Sequence, residues 1–161
     1  MSTFIARIGR IGGRWFADTS AWYSIIDEAD SSHIKMRTTY IEAIQKGTLF
    51  VTSNLVLGEL YTLLGARMKQ PWRFWAFHEE LRTSQVISVL DISSKQSEAA
   101  FDLLRRRPDK LCSFVDATSF MLMRNETIYA AFTLDHHFAQ EGFHVVPARA
   151  EHVHECKRQS E

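Results

Sequence analysis

Apolar residues along the chain follow two alternating patterns, short continuous runs and longer stretches in which they recur every three or four positions. The short runs predict buried strands, and the wider spacing predicts helices with one buried face. The predicted strands are 14–17, 49–52, 85–90, 128–133 and 143–146. The predicted helices are 21–26, 31–46, 55–64, 67–80, 93–106 and 113–124. Because strands alternate with helices, we expect an α/β fold with a mainly parallel sheet of about five strands, covered by helices on both faces.

Length and composition predict one domain with two flanking segments. The chain has 161 residues, of which 45% are hydrophobic, and this is enough for one core of ordinary size. We assign the domain to 14–147, a flexible N-terminal extension to 1–13 and a polar C-terminal tail to 148–161. The extension lacks the apolar run of a signal peptide, and no segment approaches membrane-spanning length. His152, His154 and Cys156 in the tail could chelate zinc in principle, although alternating residues on a terminal tail rarely form a closed site.

Charge and cysteine content limit the partners and the compartment. Nineteen basic residues balance nineteen acidic ones, so there is no global basic field and any contact with nucleic acid must be local. Arg105, Arg106 and Arg107 form the only basic cluster, which is either a solvated helix end or a contact for phosphates. Two cysteines, Cys112 and Cys156, stand far apart, which favours a reducing compartment and a cytoplasmic location.

Three acids stand at the starts of predicted helices or directly after strands. Asp116 follows Ser113 by three positions, the spacing of a capping box, so it either satisfies backbone donors or serves a site as well. Asp18 follows the first strand, where capping of the next helix is again the simpler interpretation. Asp135 repeats that position after the fourth strand. His136 and His137, next in the chain, are expected at the surface, with some chance of contacting substrate.

Glu59 is the one charge in a predicted helix that is apolar almost all round. A carboxylate there is costly to bury unless it meets a cation, a metal or a shared proton. The alternatives are that it pairs with an arginine or points outward at the rim of the helix.

Four carboxylates from distant parts of the chain are expected to meet at one edge of the sheet. Ligands of parallel sheets bind outside the carboxyl ends of the strands, where Asp18 and Asp135 lie directly. A cluster of acids needs hard cations, and oxygen ligands favour Mg²⁺ or Mn²⁺ over zinc. Such ions suit hydrolysis of a phosphodiester. Thr19 and Thr133, each close to an acid, could orient a carboxylate or a water.

An aromatic segment, Trp72 to Phe77, holds four aromatic residues. It either packs a large corner of the core or forms part of an interface.

Four phrases of the sequence resemble, in order and spacing, the acidic motifs of PIN-domain ribonucleases, and above all those of VapC-type toxins of bacterial toxin–antitoxin pairs. The phrases are Phe16 to Ala21, Leu57 to Leu60, Ser113 to Phe120 and Phe132 to Phe138. Each phrase is weakly specific alone, but four in register are fairly specific, and the likeness spans 15–146.

The resemblance implies an α/β/α sandwich with a parallel sheet, Mg²⁺- or Mn²⁺-dependent cleavage of single-stranded RNA, and a homodimer neutralised by an antitoxin. It matches Asp18, Glu59, Asp116 and Asp135 to the family's metal-binding acids. Phe120 departs from the pattern, since some relatives carry a further acid there, and this departure makes a one-metal resting state plausible.

Two alternatives to this function stay open at the level of sequence. One is a phosphatase or a DNA-directed nuclease that uses the same metal site. The other is a binding module that has kept the fold without the chemistry and acts through the aromatic segment and the basic cluster Arg105 to Arg107.

Overall fold

The computed structural model describes residues 13–68, 72–107 and 112–148. The predicted N-terminal extension and C-terminal tail, apart from Gly13 and Ala148, lie outside the described residues, and so do the tail residues His152, His154 and Cys156. Within the described residues, no helix has the length and apolar character needed to cross a membrane.

Strands and helices alternate through most of the described chain, as the sequence pattern predicts. The strands are β1 Arg14–Ala17, β2 Leu49–Ser53, β3 Ile87–Leu90, β4 Ala130–Phe132 and β5 His144–Val146. The helices are α1 Thr19–Ile26, α2 His33–Gln45, α3 Asn54–Leu63, α4 Trp72–Thr83, α5 Ser94–Arg106, α6 Phe114–Asn125 and α7 His137–Gln140. A π-helical turn, Leu64–Met68, continues α3.

The five strands form one sheet in the order β3-β2-β1-β4-β5, and every pair is parallel. The chain runs outward from β1 to β2 and β3, then returns to the other side of β1 to form β4 and β5. Because parallel crossovers are right-handed, connections that run in opposite directions lie on opposite faces of the sheet. The expected α/β/α sandwich with a parallel sheet is therefore confirmed.

Side-chain caps set the starts of several helices. Ser53 caps α3 by accepting a hydrogen bond from the backbone of Val56, and Ser93 forms a capping box with Gln96 at the start of α5. Just after the C-terminal end of α2, Gly47 has a φ of 80°, a left-handed conformation that glycine adopts without strain.

The structure corrects several predicted boundaries. β4 is shorter than the predicted 128–133, and β3 begins at Ile87 rather than at residue 85. Helix α7 was missed, since its four residues are too few to show a helical period. Its apolar anchor is Phe138, which is fully buried.

Aromatic side chains fill the core on both sides of the central strands. Phe50 on β2 is fully buried, and its ring lies near four other aromatic rings. The ring-centroid distances from Phe50 are 4.8 Å to Tyr40, 5.4 Å to Phe132, 5.9 Å to Trp15 and 6.1 Å to Trp22. On α6, Phe120 packs edge-to-face on Phe138 with a centroid distance of 4.9 Å. These contacts hold the helices against the sheet.

Truncation of the central aromatic ring tests this account of the core. We expect Phe50→Ala to lower the free energy of unfolding by about 3–5 kcal/mol, because the cavity would lie among rings that cannot all collapse into it. Urea unfolding measures the change. The control is Tyr129→Ala, since Tyr129 is 73% exposed, and it should change stability by less than about 0.5 kcal/mol. Equal effects of the two variants would contradict this account.

Candidate active site

A cleft of about 390 Å³ opens at the carboxyl ends of the central strands. The strand order reverses direction at β1, and in open parallel sheets this reversal point is where ligands bind. All four predicted acids line the cleft: Asp18, Glu59, Asp116 and Asp135. The structure therefore brings together the side chains that the sequence distributes over more than a hundred residues.

Asp18 lies at the floor of the cleft, directly after the central strand, and only 4% of its surface is exposed. It caps helix α1, and its Oδ2 also accepts hydrogen bonds from the hydroxyls of Ser20 and Thr133, both at 3.0 Å. Burial raises the pKa of Asp18 to about 6, and the negative charge of Asp116 adds to the rise, although the hydrogen bonds oppose it. Asp18 thus caps helix α1 and also carries, when ionised, a negative charge that burial disfavours.

Glu59 is held by a hydroxyl rather than by a basic residue. The Oγ1 of Thr19 donates to Oε2 of Glu59 at 2.5 Å, and this bond joins the start of α1 to the middle of α3. Thr133 plays a similar part, because it donates to Asp18 and accepts a hydrogen bond from the backbone of Asp135 at 2.9 Å. Both threonines that the sequence suggested therefore fix carboxylates in position.

Asp116 forms the predicted capping box with Ser113. Its Oδ2 accepts from the backbone N–H of Ser113 at 2.8 Å, while the hydroxyl of Ser113 accepts from the backbone of Asp116 at 3.0 Å. The capping interpretation is thus confirmed, yet the same side chain also lines the cleft. The two alternatives raised by the sequence do not exclude each other.

Asp135 lies after β4 in contact with the two histidines that follow it. Its Oδ1 accepts from the backbone of His137 at 2.9 Å, and the Nδ1 atoms of His137 and His136 lie 2.8 Å and 3.5 Å from that oxygen. The His136 side chain is half exposed, as expected, but the His137 side chain is only 22% exposed. His137 is less exposed than His136 because its ring folds back against the carboxylate.

The carboxylates in the cleft are ligands of the kind that a hard divalent cation takes, although no three of these acids have oxygens within 4.8 Å of one another among the described residues. Among the described residues, no lysine or arginine forms a salt bridge with Asp18, Glu59 or Asp116. Arg67 is the only lysine or arginine among the described residues lining the cleft, and its guanidinium lies over the ring of Tyr23, 5.7 Å from the centroid. A bound Mg²⁺ or Mn²⁺ would offset the negative charge of these carboxylates, including that of Asp18, whose pKa is raised by burial.

Cys112 lies beside the cleft but is unsuited to act as a nucleophile. Burial raises the pKa of its thiol to about 11, and the charges of Asp116, Glu141 and Asp135 contribute to the rise. At neutral pH the thiol is therefore protonated.

The basic cluster lies outside the described lining of the cleft. Arg107 is bound to Glu141, whose buried side chain also pairs with Arg124 at 2.8 Å. Arg105 and Arg106 stay exposed, and Arg105 makes only a 3.5 Å contact with Asp102. Two of the three arginines thus remain accessible, while the third has a structural partner. A role in binding RNA stays a prediction.

In the aromatic segment Trp72 to Phe77, two of the four rings pack in the core and two are exposed at the surface. Phe74 and Phe77 are buried, whereas Trp72 and Trp75 are 62% and 54% exposed. Trp75 lies near Tyr61 of α3, with 5.8 Å between the ring centroids.

Several polar residues of the cleft were missed by reasoning from the sequence, namely Ser20, Tyr23, Ser24, Asp30 and Arg67. Ser20 donates to Asp18, accepts from the backbone N–H of Leu134 and has its hydroxyl oxygen 3.1 Å from that of Thr133, and its only signal was its place in the turn after β1. Asp30 lines the cleft from the loop between α1 and α2, where nothing in the sequence marked it.

Comparison with known proteins identifies the class. The chain belongs to the PIN domain family, whose model matches residues 15–143.

Among individual proteins, the chain is similar to VapC20 of Mycobacterium tuberculosis, a 23S rRNA-specific endonuclease. The sequences from strains CDC 1551 / Oshkosh and ATCC 25618 / H37Rv are each 34% identical to it over 128 residues, which cover 80% of this chain and 94% of VapC20. The crystal structure of VapC20, described as a Sarcin-Ricin loop cleaving toxin, superposes with a TM-score of 0.71 at 33% identity, covering 80% of this chain and 95% of that one.

Burial of Asp18 makes the stability of the metal-free protein depend on pH. The pKa of Asp18 in the folded state, about 6, exceeds the ordinary value of 3.8. The contribution of this carboxyl to the free energy of unfolding is therefore complete below pH 3.8 and is lost as the pH rises through 6. The loss amounts to about 3 kcal/mol. We therefore expect the stability advantage of Asp18→Asn over the unchanged protein to grow by roughly 1 kcal/mol between pH 5 and pH 7.

Urea unfolding in EDTA at both pH values measures this growth. The control is Asp91→Asn, which removes an exposed carboxylate outside the cleft. A constant difference between Asp18→Asn and the unchanged protein at both pH values would show that burial does not perturb this carboxyl.

Proposed function

We propose that this protein is an endoribonuclease that depends on Mg²⁺ or Mn²⁺ and hydrolyses phosphodiester bonds in single-stranded RNA. We further propose that it acts in the cytoplasm as the toxin of a toxin–antitoxin pair. Membership of the PIN domain family and the similarity to an endonuclease that acts on 23S rRNA support both proposals.

One observation carries the proposal, namely that the four predicted carboxylates line a single cleft and that, among the described residues, none of them pairs with a lysine or an arginine. A purely structural cluster would be expected to pair with lysine or arginine, as Glu141 does elsewhere in this chain. Asp18, Glu59, Asp116 and Asp135 are accordingly proposed as the metal-binding and catalytic acids.

The residues of the cleft have separate tasks in this proposal. Asp18 and Asp116 would present oxygens to a divalent cation, which would make a bound water more acidic and offset charge on the scissile phosphate. The hydroxyls of Ser20 and Thr133 hold Asp18 in place. Thr19 holds Glu59 in the same way. These hydrogen bonds fix the donors before the ion or the RNA arrives.

We propose that the resting enzyme holds one ion rather than two. Phe120, which stands where some relatives carry a further acid, is only 1% exposed and packs on Phe138 and Phe143. Helix α6 therefore offers the cleft Asp116 as its one carboxylate.

A homodimer and a cognate antitoxin are the proposed protein partners. Trp72, Trp75 and Tyr61 expose apolar surface on α3 and α4, and such surface is typical of contacts with other chains. This support is independent of the acids in the cleft.

Replacement of the helix-capping acid tests the catalytic proposal. Asp116→Asn should lower the rate of RNA cleavage about 100-fold or more, because one charged donor to the cation is lost. Folding should persist, since the amide oxygen can still accept the hydrogen bond from Ser113. Cleavage of a 23S rRNA sarcin–ricin oligonucleotide and of an unstructured RNA, with Mg²⁺, Mn²⁺ or EDTA, provides the measurement.

Asp91→Asn is the matched control and should cleave normally. Equal loss of activity and of folding in Asp116→Asn would argue for a structural acid instead. Cleavage of DNA or of small phosphate esters in place of RNA would favour the alternative activities considered from the sequence.

The exposed arginines of α5 are proposed to bind phosphates of the RNA. In an Asp116→Asn background, which separates binding from cleavage, Arg105→Glu with Arg106→Glu should weaken binding. The slope of log K against log salt should fall by up to about 0.7 for each arginine. Fluorescence anisotropy at several salt concentrations measures the slope.

The control is Arg82→Glu on α4, whose arginine side chain is 67% exposed. An unchanged slope would assign Arg105 and Arg106 to ordinary surface.

A further inference from the structure

Asp135, His136 and His137 bring three metal-ligating side chains together at the edge of the acidic cleft. One ligand atom from each residue lies within 4.8 Å of the other two, and this is the only such group of histidine, cysteine and acidic residues in the part of the chain that the structure describes. The two histidines do not line the cleft itself. Their nitrogen donors are not used in the chemistry proposed above.

The separations suit ligands of a single ion. With bonds of about 2.0–2.1 Å, two ligands of a tetrahedral zinc ion stand about 3.3 Å apart. The Nδ1 atoms of His137 and His136 lie 2.8 Å and 3.5 Å from Oδ1 of Asp135, on either side of that value. The ring centroids of the two histidines are 4.2 Å apart.

A second observation also indicates a missing ligand. The Nδ1 atom of His137 is buried and has no hydrogen-bond partner among the described residues, even though Oδ1 of Asp135 is only 2.8 Å away. The contact is close enough for a hydrogen bond, so its direction must be wrong for one. A buried polar atom without a partner costs about 1–3 kcal/mol, and coordination of a cation would satisfy it.

We infer that Asp135, His136 and His137 form a site for a divalent transition-metal ion that accepts imidazole nitrogen, with Zn²⁺ as its representative. Two nitrogens and one carboxylate oxygen favour such an ion over Mg²⁺, which takes oxygen ligands. Water can reach the half-exposed His136 and complete the coordination shell. The backbone bonds of Asp135 to Thr133 and of His137 to Asp135 hold the loop in position. This site shares Asp135 with the proposed Mg²⁺ site, but its two nitrogen ligands have no part in the ribonuclease proposal.

Calorimetric titration of the full-length protein with Zn²⁺, with Co²⁺ absorption as a report on nitrogen ligands, tests the inference. His137→Gln should weaken Zn²⁺ binding at least about tenfold, since even residues that only orient a ligand have effects of that size. His136→Gln should also weaken it, and folding should be unaffected because this side chain is half exposed. Neither variant should change the affinity for Mg²⁺. Asp116→Asn, which removes the proposed catalytic function, should leave Zn²⁺ binding intact.

Two matched controls separate this site from other histidines. His144→Gln removes an exposed histidine at the start of β5, and His152→Gln with His154→Gln removes the histidines of the tail. Both should bind Zn²⁺ normally. Unchanged Zn²⁺ affinity in a combined His136→Gln and His137→Gln variant would overturn the inference. Loss of binding in the tail variant alone would also overturn it.

Discussion

Negative charge held out of water at the end of the central strand is the constraint on which the rest of the structure depends. β1 lies between β2 and β4, so the residue that follows it is surrounded by other elements, and Asp18 is almost wholly buried there. Burial raises its pKa to about 6, which means that its charge is held at a cost in free energy at neutral pH. The hydroxyls of Ser20 and Thr133 lower this cost by donating hydrogen bonds to Asp18, but they do not neutralise its charge.

The same chain treats another buried acid in the opposite way. Glu141 has a side chain that is only 5% exposed, and two guanidinium groups, those of Arg107 and Arg124, neutralise it. Glu141 thereby links the C-terminal end of α5 to helix α6. The contrast separates a structural carboxylate from those available to a ligand: Glu141 has two arginine partners, whereas the four predicted acids of the cleft have no lysine or arginine partner among the described residues.

Much of the site could be anticipated because each acid is tied to a local signal. Asp18 and Asp135 follow strands, Asp116 completes a capping box, and Glu59 interrupts an apolar helix, so the parallel order of the sheet was enough to bring them to one edge. The other features of the site depend on tertiary packing, which produces no periodic pattern in the sequence. The place of Asp30 in the cleft, the inward turn of His137 and the pairing of Arg107 with Glu141 each join residues through the fold rather than through spacing.

The shortness of the central strand has a consequence for how this sequence can change over evolutionary time. β1 has four residues, is paired along both edges, and passes directly into Asp18, whose backbone N–H still bonds to Phe132. Alternate residues of a strand point to opposite sides, so loss or gain of one residue here would turn the acid away from its hydroxyl partners. The length of β1 should therefore stay fixed even where its apolar residues are exchanged for one another.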